Sequence, residues 1–122
     1  MKNKPIIIVN GEPNSIFLEI FFKALKKKKF KNPIILISSK KIIELQMRYL
    51  NFKKKIKVLD FRKLNKYKLD NKSINLINVN YNQKRPFEKI TTKSNNFISE
   101  SFKLAIKIVK KYKIVKFING PI

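Results

Sequence analysis

Ile6-Ile7-Ile8-Val9 is an unbroken β-branched run, cut off by Asn10-Gly11 and Pro13 and followed at once by a segment of helical periodicity. No other feature limits the fold as much. β-Branched side chains are stiff at χ1 and pack well on a pleated surface, and a run without polar alternation fits a strand buried on both faces, the habit of parallel sheets covered by helices. Phe17, Ile20, Phe21, Ala24 and Leu25 then recur at i, i+3, i+4, i+7 and i+8, with Glu19, Lys23, Lys26 and Lys27 opposite them. That spacing predicts an amphipathic helix, with Asn14 or Ser15 available as its cap. A loop that leaves a parallel strand and opens a helix lies where α/β proteins bind ligands, because the helix-start amides point into the crevice. Asn10 to Ser15 is therefore the first candidate site.

The pattern repeats downstream. Asn32-Pro33 breaks the chain before a second apolar run, Ile34 to Ile37, and Ser38-Ser39 then opens a helix over about 40–51 with Ile43, Met47 and Leu50 inward and Ile42, Leu45 and Tyr49 widening the stripe. Glu44 and Arg48 stand at i,i+4 on that helix, a spacing that supports an ion pair. A third strand is read at 56–61, near an edge because Lys57 interrupts it, and a short half-exposed strand at 74–79 among asparagines. Residues 80–94, with Pro86 and little periodicity, read as a long surface connection. A third helix is predicted over 95–112 with Ile98, Phe102, Ala105, Ile106 and Val109 buried, and a last strand over 114–118. Alternating strands and helices predict an α/β fold: a mostly parallel sheet with helices on both faces.

The chain has 122 residues, 43% of them hydrophobic, enough to bury one core, so a single α/β domain or part of one is expected. Lysines and Pro33 break every apolar run before it reaches bilayer length, which argues against a membrane protein, and a cytoplasmic location is the default expectation. Cysteine and histidine are absent, which removes disulfides, thiolate metal sites and the commonest general base. The formal charge of +23 points at first to nucleic acid. Against that, the basic residues are almost all lysine, Arg48, Arg62 and Arg85 being the arginines, and lysine, isoleucine and asparagine share A/T-rich codons. A surface built for phosphates recruits arginine forks. A lysine-driven, non-enzymatic nucleic-acid binder is thus the alternative and not the first reading. The basic run Lys26 to Lys29 ends a helix, where cations complement the dipole.

The chain has two glycines, in Val9-Asn10-Gly11-Glu12-Pro13 and Ile118-Asn119-Gly120-Pro121. Each ends a hydrophobic strand. Glycine in that place permits a positive φ and close backbone approach by a ligand, so Asn10, Gly11, Glu12, Asn14, Asn119, Gly120 and Pro121 are the candidate cleft residues. Two ordinary tight turns explain the glycines equally well. Glu12 is the only carboxylate in either loop; it orients a ligand hydroxyl or ammonium, or favours the positive start of the first helix. Neither loop is a G-x-G-x-x-G or Walker A sequence.

At these residues a family comes into view. The segment Gly11-Glu12-Pro13-Asn14-Ser15-Ile16-Phe17-Leu18-Glu19-Ile20, following a strand, resembles the N-terminal Gly-Asp/Glu-Pro-Ala-Gly-Ile-Gly-Pro-Glu loop and helix of the 4-hydroxythreonine-4-phosphate dehydrogenases of vitamin B6 synthesis. Phe117-Ile118-Asn119-Gly120-Pro121-Ile122 resembles their Val-Thr-Gly/Ala-Pro-Ile strand exit, which continues into a lysine. The resemblance implies an α/β/α fold shared with the isocitrate and isopropylmalate dehydrogenases, a homodimer, a phosphorylated small-molecule substrate, NAD, and a divalent metal held by histidines. Those histidines lie after the Pro-Ile turn in the family. The chain is therefore expected to be the N-terminal part of a longer enzyme with an incomplete sheet, holding neither metal nor NAD by itself, and no catalytic residue is assigned within it. It departs from the family where Asn14-Ser15-Ile16-Phe17-Leu18 replaces Ala-Gly-Ile-Gly-Pro, losing two glycines and a proline.

Overall fold

Five short strands lie side by side in one parallel sheet. The computed structural model of the chain describes residues 4–114 and 116–121. In chain order the elements are β1 (Ile6–Val9), α1 (Phe17–Lys27), β2 (Ile34–Ser38), α2 (Lys40–Tyr49), β3 (Ile56–Val58), β4 (Ile74–Asn78), α3 (Asn95–Tyr112) and β5 (Phe117–Asn119). Short 3-10 turns at Phe61–Lys66 and Thr92–Ser94 join them. The strand order is β3-β4-β2-β1-β5, and every pairing is parallel, with Ile7 beside Ile35 and Phe117, and Leu36 beside Leu76.

Strand side chains alternate between two cores. Ile7, Val9, Ile35, Ile37 and Ile77 point to the face covered by α3 and the Phe61–Lys66 turn, where they meet Phe97, Ala105, Ile108 and Leu64. Ile8, Leu36 and Leu76 point to the opposite face and meet Leu18, Phe21 and Phe22 of α1 and Ile42, Ile43 and Met47 of α2. Each fully buried aliphatic side chain contributes about 1.5–3 kcal/mol relative to exposure, which is why the middle strands β1, β2 and β4 carry no interior lysine. The expected α/β architecture, with helices on both faces, is the observed one.

Several local readings change. The α1 stripe is rotated: Leu18 and Phe22 are buried, while Ile20 is 54% exposed. In α3, Phe97, Ser101 and Ile108 go inward and Ile106 is 41% exposed. In α2, Tyr49 is 68% exposed, and Gln46 is fully buried in its place. Helices here carry apolar residues around more than half their circumference, so the stripe that goes inward is decided by which strand pair lies beneath. Glu44 and Arg48 form no ion pair among the described residues, whose ion pairs are Lys23–Glu19 and Arg62–Asp60. The strand at 74–79 is not half-exposed: β4 lies between β3 and β2. Its Asn75 is buried because Nδ2 donates to Ile34 O (2.9 Å) and Asp70 O (2.7 Å), so the polar group reaches acceptors without water. β3 is an edge strand, as Lys57 implied, and β5 is the other edge of the described sheet. The last strand is Phe117–Asn119, and Val115 and Ile122 lie outside the described residues.

Candidate functional site

The loops leaving β1 and β5 meet at the carboxyl edge of the sheet. Asn10 N–H donates to Ile37 O (3.1 Å), Gly120 N–H to Val9 O (2.7 Å) and Glu12 N–H to Pro121 O (2.6 Å), so backbone pairing runs on past the strand ends. Gly11 has φ +76°, a left-handed conformation that costs other residues energy. A Cβ on Gly11 would overlap Pro121 O, and a Cβ on Gly120 would overlap Asn10 O. The two glycines are therefore fitted to each other. The space that glycine leaves open is filled by the opposite loop's backbone.

The remaining loop residues are held from below. Glu12 is only 7% exposed. Its Oε2 accepts from Ser94 Oγ (2.8 Å) and its Oε1 from Asn14 N–H (3.1 Å), so both carboxylate oxygens carry charge-assisted hydrogen bonds. Ser15 donates from Oγ to Glu12 O (2.9 Å) and accepts from Phe17 N–H (3.2 Å), but the N-cap of α1 is Ile16, without a side-chain cap, and neither Asn14 nor Ser15 takes that position. Asn14 turns instead toward residues 80–94: its amide exchanges two hydrogen bonds with Gln83 (3.1 and 2.7 Å) and accepts from Glu88 N–H (2.9 Å). Gln46 Nε2 donates to Pro13 O (2.8 Å) and Pro86 O (2.9 Å). The long connection is thus fastened over the first loop at Gln46, Gln83 and Ser94.

Beside Glu12 opens a cavity of about 450 Å³, lined by Ile90, Thr91 and Thr92 of the long connection and by Asn95, Ile98, Ser99 and Phe102, which share one face of α3. Hydroxyl and amide groups interspersed with apolar side chains, with one fixed carboxylate, suit a small hydroxylated ligand whose donors Glu12 would accept. Of the candidate cleft residues, Glu12 alone lines this cavity among the described residues. Asn10 is buried against β2, donating from Nδ2 to Ser38 Oγ (2.9 Å). Asn119 is exposed and donates to its neighbour, Gly120 O (3.3 Å). Thr91, Thr92, Ser94, Gln46 and Gln83 were not read from the sequence as site residues. The hydroxyl cluster Thr91-Thr92-Lys93-Ser94 just ahead of an amphipathic helix was the available signal, whereas nothing in the sequence marks Gln46 or Gln83.

Tyr81 lies under this arrangement, its ring 5.2 Å from that of Phe97. Burial first, then the negative charges of Glu12 and Glu88, raise its phenol above the ordinary value of 10.0. The unfolded chain releases this proton near pH 10 while the folded chain retains it, so the associated stability is fully present below pH 10 and is lost as pH rises through the folded value. In a spectrophotometric titration, Tyr81→Phe should delete an ionisation step above pH 10 and flatten the alkaline fall in stability. An unchanged titration would contradict this.

Neither a cluster of metal ligands nor an open phosphate cradle at Gly11 is present among the described residues. Among the described residues no three His, Cys, Asp or Glu side chains converge, and the backbone at Gly11 that a phosphate would approach is occupied by Pro121 O. No described helix is long and apolar enough to cross a membrane.

Neither a protein-family model nor a curated protein matches the chain. Solved structures do. A 4-hydroxythreonine-4-phosphate dehydrogenase of Klebsiella pneumoniae matches with TM-score 0.81 and 14% identity over 98% of this chain and 37% of its own. One of Burkholderia phymatum matches with TM-score 0.80 and 17% identity over 98% of this chain and 36% of its own. The chain spans little more than a third of the length of these enzymes, and across that span it has their parallel α/β fold.

Proposed function

We propose that the chain is the N-terminal part of an NAD-dependent, metal-assisted dehydrogenase acting on phosphorylated hydroxythreonine in vitamin B6 synthesis, forming one wall of its cleft. The observation that carries this reading is that the two segments resembling the family's motifs, at Gly11 and Gly120, come from opposite ends of the sequence and pack against each other at one sheet edge. The match of fold to these dehydrogenases supports it. In this reading Glu12 and the hydroxyls around it contact substrate, and the cofactor-binding and metal-binding groups belong to further polypeptide, as does the homodimer contact. A cytoplasmic location accompanies it. The lysine-rich nucleic-acid alternative draws no support from a dehydrogenase-like parallel sheet.

The experiment is to express the complete reading frame and follow NADH formation with 4-phosphohydroxy-threonine and a divalent metal. The complete protein should turn over, residues 1–122 alone should not, and Glu12→Gln in the complete protein should raise KM about tenfold or more, as expected for a lost charge-assisted contact. A complete protein that folds and binds salt-sensitively to DNA without oxidising this substrate would overturn the proposal.

A further inference from the structure

A second cavity, of about 520 Å³, opens at a different point of the same sheet edge, between the ends of β2 and β4. Its position follows from the topology. β2 runs into α2, which covers one face, whereas β4 runs through residues 80–94 into α3, which covers the other. β2 and β4 are neighbours, so the chain leaves the sheet in opposite directions from adjacent strands. That divergence opens a crevice at the carboxyl ends, and open α/β sheets bind their ligands there.

The lining fits an anion. Lys40, Lys41 and Arg48 project from α2 into this cavity with Glu44 as the one carboxylate, leaving a local excess of two positive charges. None of the three cations is in an ion pair among the described residues. The rim is already fixed: Asn78 Oδ1 accepts from Lys40 N–H (2.8 Å), Asn78 Nδ2 donates to Asn80 Oδ1 (3.0 Å), and Ser39 Oγ donates to Tyr81 O (3.1 Å). With those helix-start amides partly engaged, recognition falls to the cationic side chains. We propose that this cavity binds a small phosphate monoester, its phosphate held by Lys40, Lys41 and the Arg48 fork and its hydroxyl or ammonium groups by Glu44 and the asparagine amides. The inference stands on topology and charge and is independent of the dehydrogenase reading.

Lysine is abundant everywhere in this chain, so the test needs an internal control. The opposite sheet edge provides one, a concavity of about 600 Å³ lined by Lys26 to Lys29, Lys54 and Lys72, where the lysines face the carbonyl end of α1 and answer its dipole. The 122-residue chain would be titrated with inorganic phosphate at constant ionic strength while amide NMR resonances are followed. Saturable shifts are expected at Ser39, Asn78 and Asn80. Lys40→Gln/Lys41→Gln should weaken binding about tenfold, and Lys26→Gln/Lys27→Gln less than about twofold. All four lysines are exposed, so both variants should keep the parent spectrum elsewhere; Arg48→Gln gives the same readout from about two turns further along α2. Shifts that never saturate, or equal losses in the two lysine pairs, would overturn the proposal and assign the binding to general charge.

Discussion

Gly11→Ala should destabilise the chain by about 3 kcal/mol or more, the largest effect expected of any single methyl group here. Two costs add. A residue with a Cβ held at φ +76° is strained by about 1–2 kcal/mol. The new methyl also overlaps Pro121 O and sits 2.9 Å from Gly120 C, and both are backbone atoms that cannot swing aside as a side chain would. Relief requires the loops to separate, which breaks the Glu12 N–H to Pro121 O and Gly120 N–H to Val9 O hydrogen bonds. Gly120→Ala should cost less, because it meets Asn10 O and Phe17 without the burden of a positive φ. The double variant should cost clearly less than the two singles summed, since loops already parted by one methyl leave room for the other. Urea denaturation of the three variants measures this; additive losses, or a Gly11→Ala loss below about 0.5 kcal/mol, would show that the loops do not rely on each other.

Legibility in the sequence followed the physics of side-chain burial. Runs such as Ile6 to Val9 and Ile34 to Ile37 could be read as interior strands because both faces of a covered sheet demand the same residue type, and the observed strands begin on those residues. α3 was read with its observed limits, 95–112, because one long amphipathic pattern leaves little freedom. Helix phase was harder. Ile16, Phe17, Leu18, Ile20, Phe21 and Phe22 allow more than one apolar stripe, and only the strands beneath select Leu18 and Phe22 over Ile20.

Buried polar residues were the least legible class. Asn75, Gln46, Gln83 and Ser94 read as solvated in a one-dimensional pattern, yet all four are buried. Their partners lie far along the chain: Ser94 meets Glu12, Gln83 meets Asn14 and Gln46 meets Pro13. Such pairings carry no periodic signal. They decide the candidate site nonetheless, because Glu12 reaches its cavity only with the long connection drawn down over it. The glycine pair was legible as two strand exits, but not as a mutual fit, which depends on β1 and β5 being neighbours.

Gln46→Ala should release that connection. Gln46 is fully buried, and its Nε2 serves two carbonyls, Pro13 O in the first loop and Pro86 O in the long connection. Truncation leaves Pro13 O, which is buried, without this donor, and opens a void where the side chain stood. Each unsatisfied buried carbonyl costs about 1–3 kcal/mol. One term runs the other way: Gln46 Oε1 is buried with no partner among the described residues, so its removal returns part of a desolvation penalty. The balance is a loss of about 2 kcal/mol, below that of Gly11→Ala and more local. Residues 80–94 should open while the sheet holds, because α2 keeps Ile42, Ile43 and Met47 in the core. Limited trypsinolysis reads this directly, since Lys84 is exposed within the segment that Gln46 and Gln83 hold in place. Cleavage after Lys84 should accelerate about tenfold or more in the variant if opening precedes cutting. Gln46→Met, which fills the void without restoring a donor, should recover part of the stability but not the protection. If Gln46→Ala is cut no faster than the parent chain, the connection is fastened by the Asn14–Gln83 pair and Ser94 alone, and Gln46 contributes only to packing.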